Sequence, residues 1–120
     1  MYRTIPGSTF DVDFGNGYDL VLLPAFLHHF DPPKNVSFLK KVRSAMQPRA
    51  LLATQETIPN DDRISPPTEA AFSLMMLCST PSGDAYTFRE LEQMLREAGF
   101  SENKLQGLGN LPVQVIFSRA

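Results

Sequence analysis

Cysteine is nearly absent. Cys78 stands alone in 120 residues, so no internal disulfide can form, and the fold must hold by packing, as suits a reducing compartment. Lying in the apolar run LMMLC, that thiol reads as buried and inert rather than as a nucleophile. A basic excess is missing too. Eleven Lys and Arg against 13 Asp and Glu leave a net charge of −2, which excludes a general nucleic-acid binder with its clustered cationic surface. The densest cations, Lys40, Lys41 and Arg43, fit one solvated helix face. No apolar run reaches the ~20 residues of a membrane span, and the leading MYRTIPG lacks the apolar core of a signal peptide. A cytoplasmic protein with no membrane or nucleic-acid partner and no metal site is expected. At this length, one domain with a single core is expected over residues 1–120.

The chain centres on YDLVLLPAFLHHFD, Tyr18–Asp31. Its apolar run Leu20–Leu23 has no polar alternation and reads as a strand buried on both faces of a parallel sheet. Open parallel sheets bind ligands just past the carboxyl ends of their strands, which is where His28, His29 and Asp31 fall. From spacing alone these histidines could equally cap or solvate the helix that follows. Ahead of the strand, Met1–Ile5 could form a short strand of its own. Asp31 with Pro32 and Pro33 marks a helix start, and Val36, Leu39, Val42 and Met46 recur at helical spacing up to Pro48.

Ala50–Thr57 reads as a second strand, parallel to the first through this crossover. Glu69–Ser79 predicts a helix with Phe72, Met75, Met76 and Ser79 on one side, its apolar girth at Leu74 and Leu77 implying burial on more than one. Such a methionine-rich helix suits a core or a hydrophobic pocket. Phe88–Ala98 is a helix opened by a Thr87/Glu90 capping box and closed by Gly99. Lys104–Leu108 and Val113–Ser118 read as a closing antiparallel hairpin. The expected core is Leu20, Val21, Leu22, Leu39, Val42, Leu51, Leu52, Leu91, Leu95, Val115 and Phe117.

These residues resemble a known family. YDLVLLPAFLHHFDPPKNVSFLKKVRSAMQP is similar to the strand, loop and helix beyond the cofactor site of class I, S-adenosylmethionine-dependent O-methyltransferases. LLATQETIPND resembles their next strand with its acidic end, FSLMMLCSTPSGDAYTFRELEQMLREAGF their long helix, glycine turn and capped helix, and QVIFSRA their last strand. The resemblance runs from about Gly7 to the end. It implies an α/β fold, a partial Rossmann-like methyltransferase sheet of parallel strands plus a C-terminal antiparallel hairpin strand, with flanking helices.

By resemblance, His28 is the general base that takes the acceptor's proton and Glu56 the acid that orients it. An imidazole titrates near neutral pH, and a carboxylate at its far nitrogen fixes the tautomer. The resemblance also sets Ser8, Phe10 and Leu23 beside the cofactor S-adenosylmethionine, Ser8 standing where the family has an acid. His29, Phe72, Met75 and Met76 would line the substrate pocket. The acid that often precedes the last capped helix is replaced near Ala85.

One family feature is missing. No Gly-x-Gly-x-Gly turn for the cofactor occurs in the chain, which by resemblance starts near the family's third strand and lacks the helical dimerisation domain. Two readings follow. The chain is the C-terminal part of an O-methyltransferase acting on a small-molecule hydroxyl, inactive in isolation; or it is a non-catalytic, oligomeric domain that kept the fold and lost the cofactor site. A bare strand edge makes a homodimer, or a partner supplying the missing half, the expected assembly.

Overall fold

The computed structural model describes residues 2–120. Four strands and three helices follow in the order β1 (Tyr18–Pro24), α1 (Pro32–Ala45), β2 (Met46–Glu56), α2 (Pro67–Ser79), α3 (Phe88–Glu97), β3 (Glu102–Gly107) and β4 (Gln114–Arg119), with a 3-10 turn at Leu27–His29. The sheet order is β1-β2-β4-β3. β1 and β2 are parallel, and β4 is antiparallel to both of its neighbours. This is the expected mixed sheet with flanking helices.

Local chemistry sets the boundaries. The Asp31 carboxylate accepts the Lys34 N–H at 2.9 Å and caps α1, whose first two residues are prolines. At α3, Thr87 accepts the Glu90 N–H while the Glu90 side chain accepts the Thr87 N–H, the reciprocal box expected. The chain enters β2 directly after α1, four residues earlier than expected. Arg49 there takes φ +67°, and the pairing with β1 slips between Tyr18 and Leu20. No strand forms over residues 2–5; Met1, where that expected strand begins, lies outside the described residues.

Helices cover one face of the sheet. Leu23, Leu52 and Ile116 on that face pack with Leu39 and Val42 of α1, Leu91 and Leu95 of α3, and Phe100. Alternation puts Leu20, Leu22, Leu51, Ala53, Val115 and Phe117 on the other face, where Leu20 is 53% and Leu22 67% exposed and Phe117 is exposed too. The reading of β1 as buried on both faces is therefore corrected, and Leu20, Leu22 and Phe117 leave the core, as do the half-buried Leu51 and Val115. An apolar run says that both faces avoid water, and among the described residues only one face has a helical layer to meet it.

The α2 helix departs in the same way. Met76 is its one buried residue, while Leu74, Met75 and Leu77 are exposed, against the burial on several sides expected from its girth. Cys78 is exposed as well, not buried; it shares the side of α2 that no other described residue covers. Among the described residues, no helix is long and apolar enough to cross a membrane.

Candidate functional site

The site grows from the turn that follows β1. Ala25 takes φ +51°, and its N–H donates to the Gln55 carbonyl at 2.8 Å, so the chain folds back across the end of β2. There Glu56, 2% exposed, receives the turn. Its Oε1 accepts the N–H groups of Phe26 at 3.1 Å and Leu27 at 2.7 Å, and its Oε2 lies 2.5 Å from His28 Nδ1. One carboxylate thus does two things, capping the start of the 3-10 turn and holding the imidazole. An ionised carboxylate only accepts, which puts the hydrogen on Nδ1 and, in a neutral imidazole, leaves the lone pair on Nε2.

The carbonyls of the turn are held just as closely. Asn35 Nδ2 donates to Leu27 O at 2.8 Å and to Phe30 O at 3.2 Å, and the Tyr86 hydroxyl donates to Phe30 O at 2.5 Å. The Asp84 N–H donates to His28 O at 3.0 Å. The loop carrying Asp84 comes so near that a Cβ on Gly83 would lie 2.2 Å from the His28 oxygen; only glycine fits there. Asp84 also accepts Ser73 Oγ of α2 at 2.5 Å and Arg63 at 2.8 Å, and Arg63 reaches Glu90 at 2.5 Å. Burial, helped by the carboxylates of Asp84, Asp31 and Glu90, pushes the Tyr86 phenol up to about 12.

The residues singled out in the sequence are distributed unevenly around this turn. His28 and Glu56 touch. The His29 ring lies 4.3 Å from the His28 ring, its Nδ1 donating to Phe26 O at 3.2 Å, and the Phe72 ring meets His28 edge-on at 4.9 Å. Met75 is 59% exposed, and Met76 is buried beside it. Ala85 is buried with no acid in its place. Ser8 accepts the Phe10 N–H at 3.3 Å within its own turn. The Phe10 ring packs against Phe30 at 4.9 Å and Phe38 at 5.7 Å under the Lys34 ammonium, and Leu23 is buried. Asn35, Gly83, Asp84 and Tyr86 went unread in the sequence as parts of this site. An asparagine at an inward position of an amphipathic helix was the signal available.

Comparison with known proteins gives a consistent picture. A family model described as the O-methyltransferase domain matches residues 2–101. The chain is 34% identical over 87 residues to a 3-hydroxy-5-methyl-1-naphthoate 3-O-methyltransferase of Streptomyces sahachiroi, spanning 72% of this chain and 25% of that protein. A crystal structure of a candidate O-methyltransferase from Nostoc punctiforme superposes with TM-score 0.96 at 51% identity, over 99% of this chain and 37% of that one. Human N-acetylserotonin methyltransferase, solved with S-adenosylmethionine, superposes with TM-score 0.87 at 25% identity, over 94% and 32%. The chain spans about a quarter to a third of the length of such relatives.

Proposed function

Because the chain belongs to the O-methyltransferase domain family, we propose that it is the C-terminal part of a catalytic domain that methylates a hydroxyl of a small molecule, with S-adenosylmethionine as donor. The observation that carries this reading is the buried pair of His28 and Glu56 at the carboxyl end of two parallel strands, with Nε2 free to accept a proton. Bound S-adenosylmethionine supplies an electrophilic methyl group. The protein's part is to take the hydroxyl proton onto His28 Nε2, while Glu56 holds the ring and stabilises the imidazolium. His29, Phe72, Met75 and Met76 are assigned to the acceptor pocket.

The residues present do not form a cofactor cradle by themselves. No Gly-x-Gly-x-Gly turn occurs in the chain, the Ser8 hydroxyl serves its own turn, and Phe10 is held in an aromatic cluster. Ser8, Phe10 and Leu23 are assigned its border only, and the chain by itself is proposed to be inactive and, in the cell, cytoplasmic.

A second reading, a non-catalytic oligomeric domain, is favoured by the bare side of the sheet. The chain exposes 7353 Å², whereas a compact monomer of this mass exposes roughly 6,500 Å². The excess is close to the roughly 800 Å² each partner buries in a standard interface. β1 is an edge strand, with an apolar cleft of about 380 Å³ beside it lined by Ile5, Phe14, Leu20 and Leu22. Self-association of the chain as a homodimer, or association with a chain supplying the cofactor half, follows in either reading.

The test is a chimera in which this chain replaces the matching third of the Nostoc punctiforme protein. His28→Gln should lower turnover roughly 10²–10⁴-fold with little change in cofactor affinity, and His29→Gln far less. Equal losses at both positions would sink the assignment of roles. A chimera that binds S-adenosylmethionine yet methylates no hydroxyl acceptor would favour the second reading.

A further inference from the structure

Asn35 closes the first turn of α1, and none of its surface is exposed. Asparagine is a poor helix former, and burying an amide is costly unless its polar atoms are paired. Here only half of them are. Nδ2 donates to Leu27 O and Phe30 O and lies 3.8 Å from Met94 Sδ, while Oδ1 is buried without a protein partner. An alanine or leucine would favour both the helix and the core, so helix stability is not what the amide supplies. What it supplies is two N–H groups, delivered to the carbonyls on either side of the His28–His29 pair.

Those carbonyls have weak or single alternatives. Among the described residues, Leu27 O otherwise accepts only the Phe30 N–H at 3.3 Å, a long bond at the end of a one-turn 3-10 segment. Phe30 O otherwise accepts only the Tyr86 hydroxyl. The turn is short, and 3-10 hydrogen bonds are poor in geometry, so its pitch has to be fixed from outside. Glu56 holds the N–H side of the turn and Asn35 the carbonyl side. Withdrawing Asn35 lets the turn unwind about Glu56, and the imidazole is the group that unwinding moves.

We propose that Asn35 is a positioning residue for His28: its amide sets the pitch of the Leu27–Phe30 turn, and so keeps the histidine's Nδ1–H on Glu56. The functional weight of this rests on the reading of His28 as a general base; the geometry does not. The experiment uses this 120-residue chain labelled with 15N-histidine. It measures exchange of the His28 Nδ1 proton with water, alongside exchange of core amides such as that of Leu95. Asn35→Ala should speed the His28 proton at least tenfold more than it speeds the core amides, and Tyr86→Phe should act in the same direction but less.

If Asn35→Ala does not fold, Asn35→Asp, which keeps the shape and removes both donors, carries the same expectation. Parallel acceleration of His28 and core amides, or none at His28, would show Asn35 to be a packing residue only and overturn the proposal. No turnover is measured, so failure here leaves the role of His28 standing, and loss of that role in the chimera leaves this standing.

Discussion

Replacing Glu56 tests whether one carboxylate supports both the turn and the base. Glu56→Ala removes the acceptor of three N–H groups at once. Bonds to a charged acceptor are worth ~1.5–3 kcal/mol each, and each donor left buried and unpaired costs ~1–3 kcal/mol. Part of this is offset, because the desolvated charge itself disappears. A net loss of about 3–5 kcal/mol follows, the range for breaking a buried charged pair, against a total stability of ~5–15 kcal/mol.

Glu56→Gln is the subtler change. With its amide oxygen kept on the Phe26 and Leu27 N–H groups, the cap survives and the loss falls to about 1–3 kcal/mol. The amide nitrogen then faces His28 Nδ1, which must accept, and the imidazole hydrogen moves to Nε2, where a base is needed. Urea unfolding reads the first effect: at a slope of ~1–3 kcal/mol per molar, the alanine variant loses at least ~1 M in midpoint. Nitrogen-15 chemical shifts of His28 read the second. An unmoved midpoint in Glu56→Ala, or an Nδ1–H tautomer retained in Glu56→Gln, would refute the double role.

Leu95→Ala, at a fully buried position, should cost roughly 2–5 kcal/mol in denaturant unfolding, whereas Leu22→Ala, on the open face, should stay within ~0.5 kcal/mol when measured on the dissociated chain. Because the folded state raises the Tyr86 phenol to about 12, from ~10 in the unfolded chain, the stability it contributes is present below pH ~10 and lost as pH rises through about 12. Tyr86→Phe should abolish that component of the alkaline profile, checked by melting both proteins across the range. Sedimentation at micromolar concentration should find a homodimer, and Leu22→Glu should convert it to a folded monomer; a wild-type monomer would show that the N-terminal segment alone seals the β1 edge.

Elements whose signals are local were legible. The capping box at Thr87 and Glu90, the prolines after Asp31 and the glycine stop at Gly99 each act within one turn, and the helices begin and end where those residues say. Parallel pairing of β1 with β2 followed from the crossover length alone. What failed were inferences about the far side of an element. Leu20 and Leu22 are as apolar as Leu23, yet only Leu23 meets a helical layer, and an apolar run cannot say which layer is present. The same is true of Cys78 and Leu77 on α2. At the proposed site, His28 and Glu56 were singled out through resemblance, and the structure brings them within hydrogen-bond reach. Asn35 and Tyr86 escaped notice because their partners are backbone carbonyls, and a sequence gives no hint of which carbonyl a side chain will meet.

The covered and open halves of this molecule differ in kind. The groups that hold the His28 turn from outside come from the covered side or the strand ends: Glu56 at the close of β2 and the Asp84 N–H bond His28 itself, and Asn35 on α1 and Tyr86 before α3 bond the carbonyls beside it. A buried polar network is stable only when nearly all its members are paired, and here the carbonyls of Phe26, Leu27, His28 and Phe30 and the N–H groups of Phe26, Leu27, His29 and Phe30 are. The open face instead carries an apolar patch, Leu20, Leu22, Leu51, Ala53, Val115 and Phe117 in adjoining register, flanked by Lys104 and Gln106 of β3. Apolar area without polar specificity can be covered by any surface of the right shape, whereas the imidazole's surroundings cannot be improvised. The imidazole's hydrogen-bonded surroundings are therefore supplied by this chain, and in the proposed reading a second surface excludes water and presents the methyl donor.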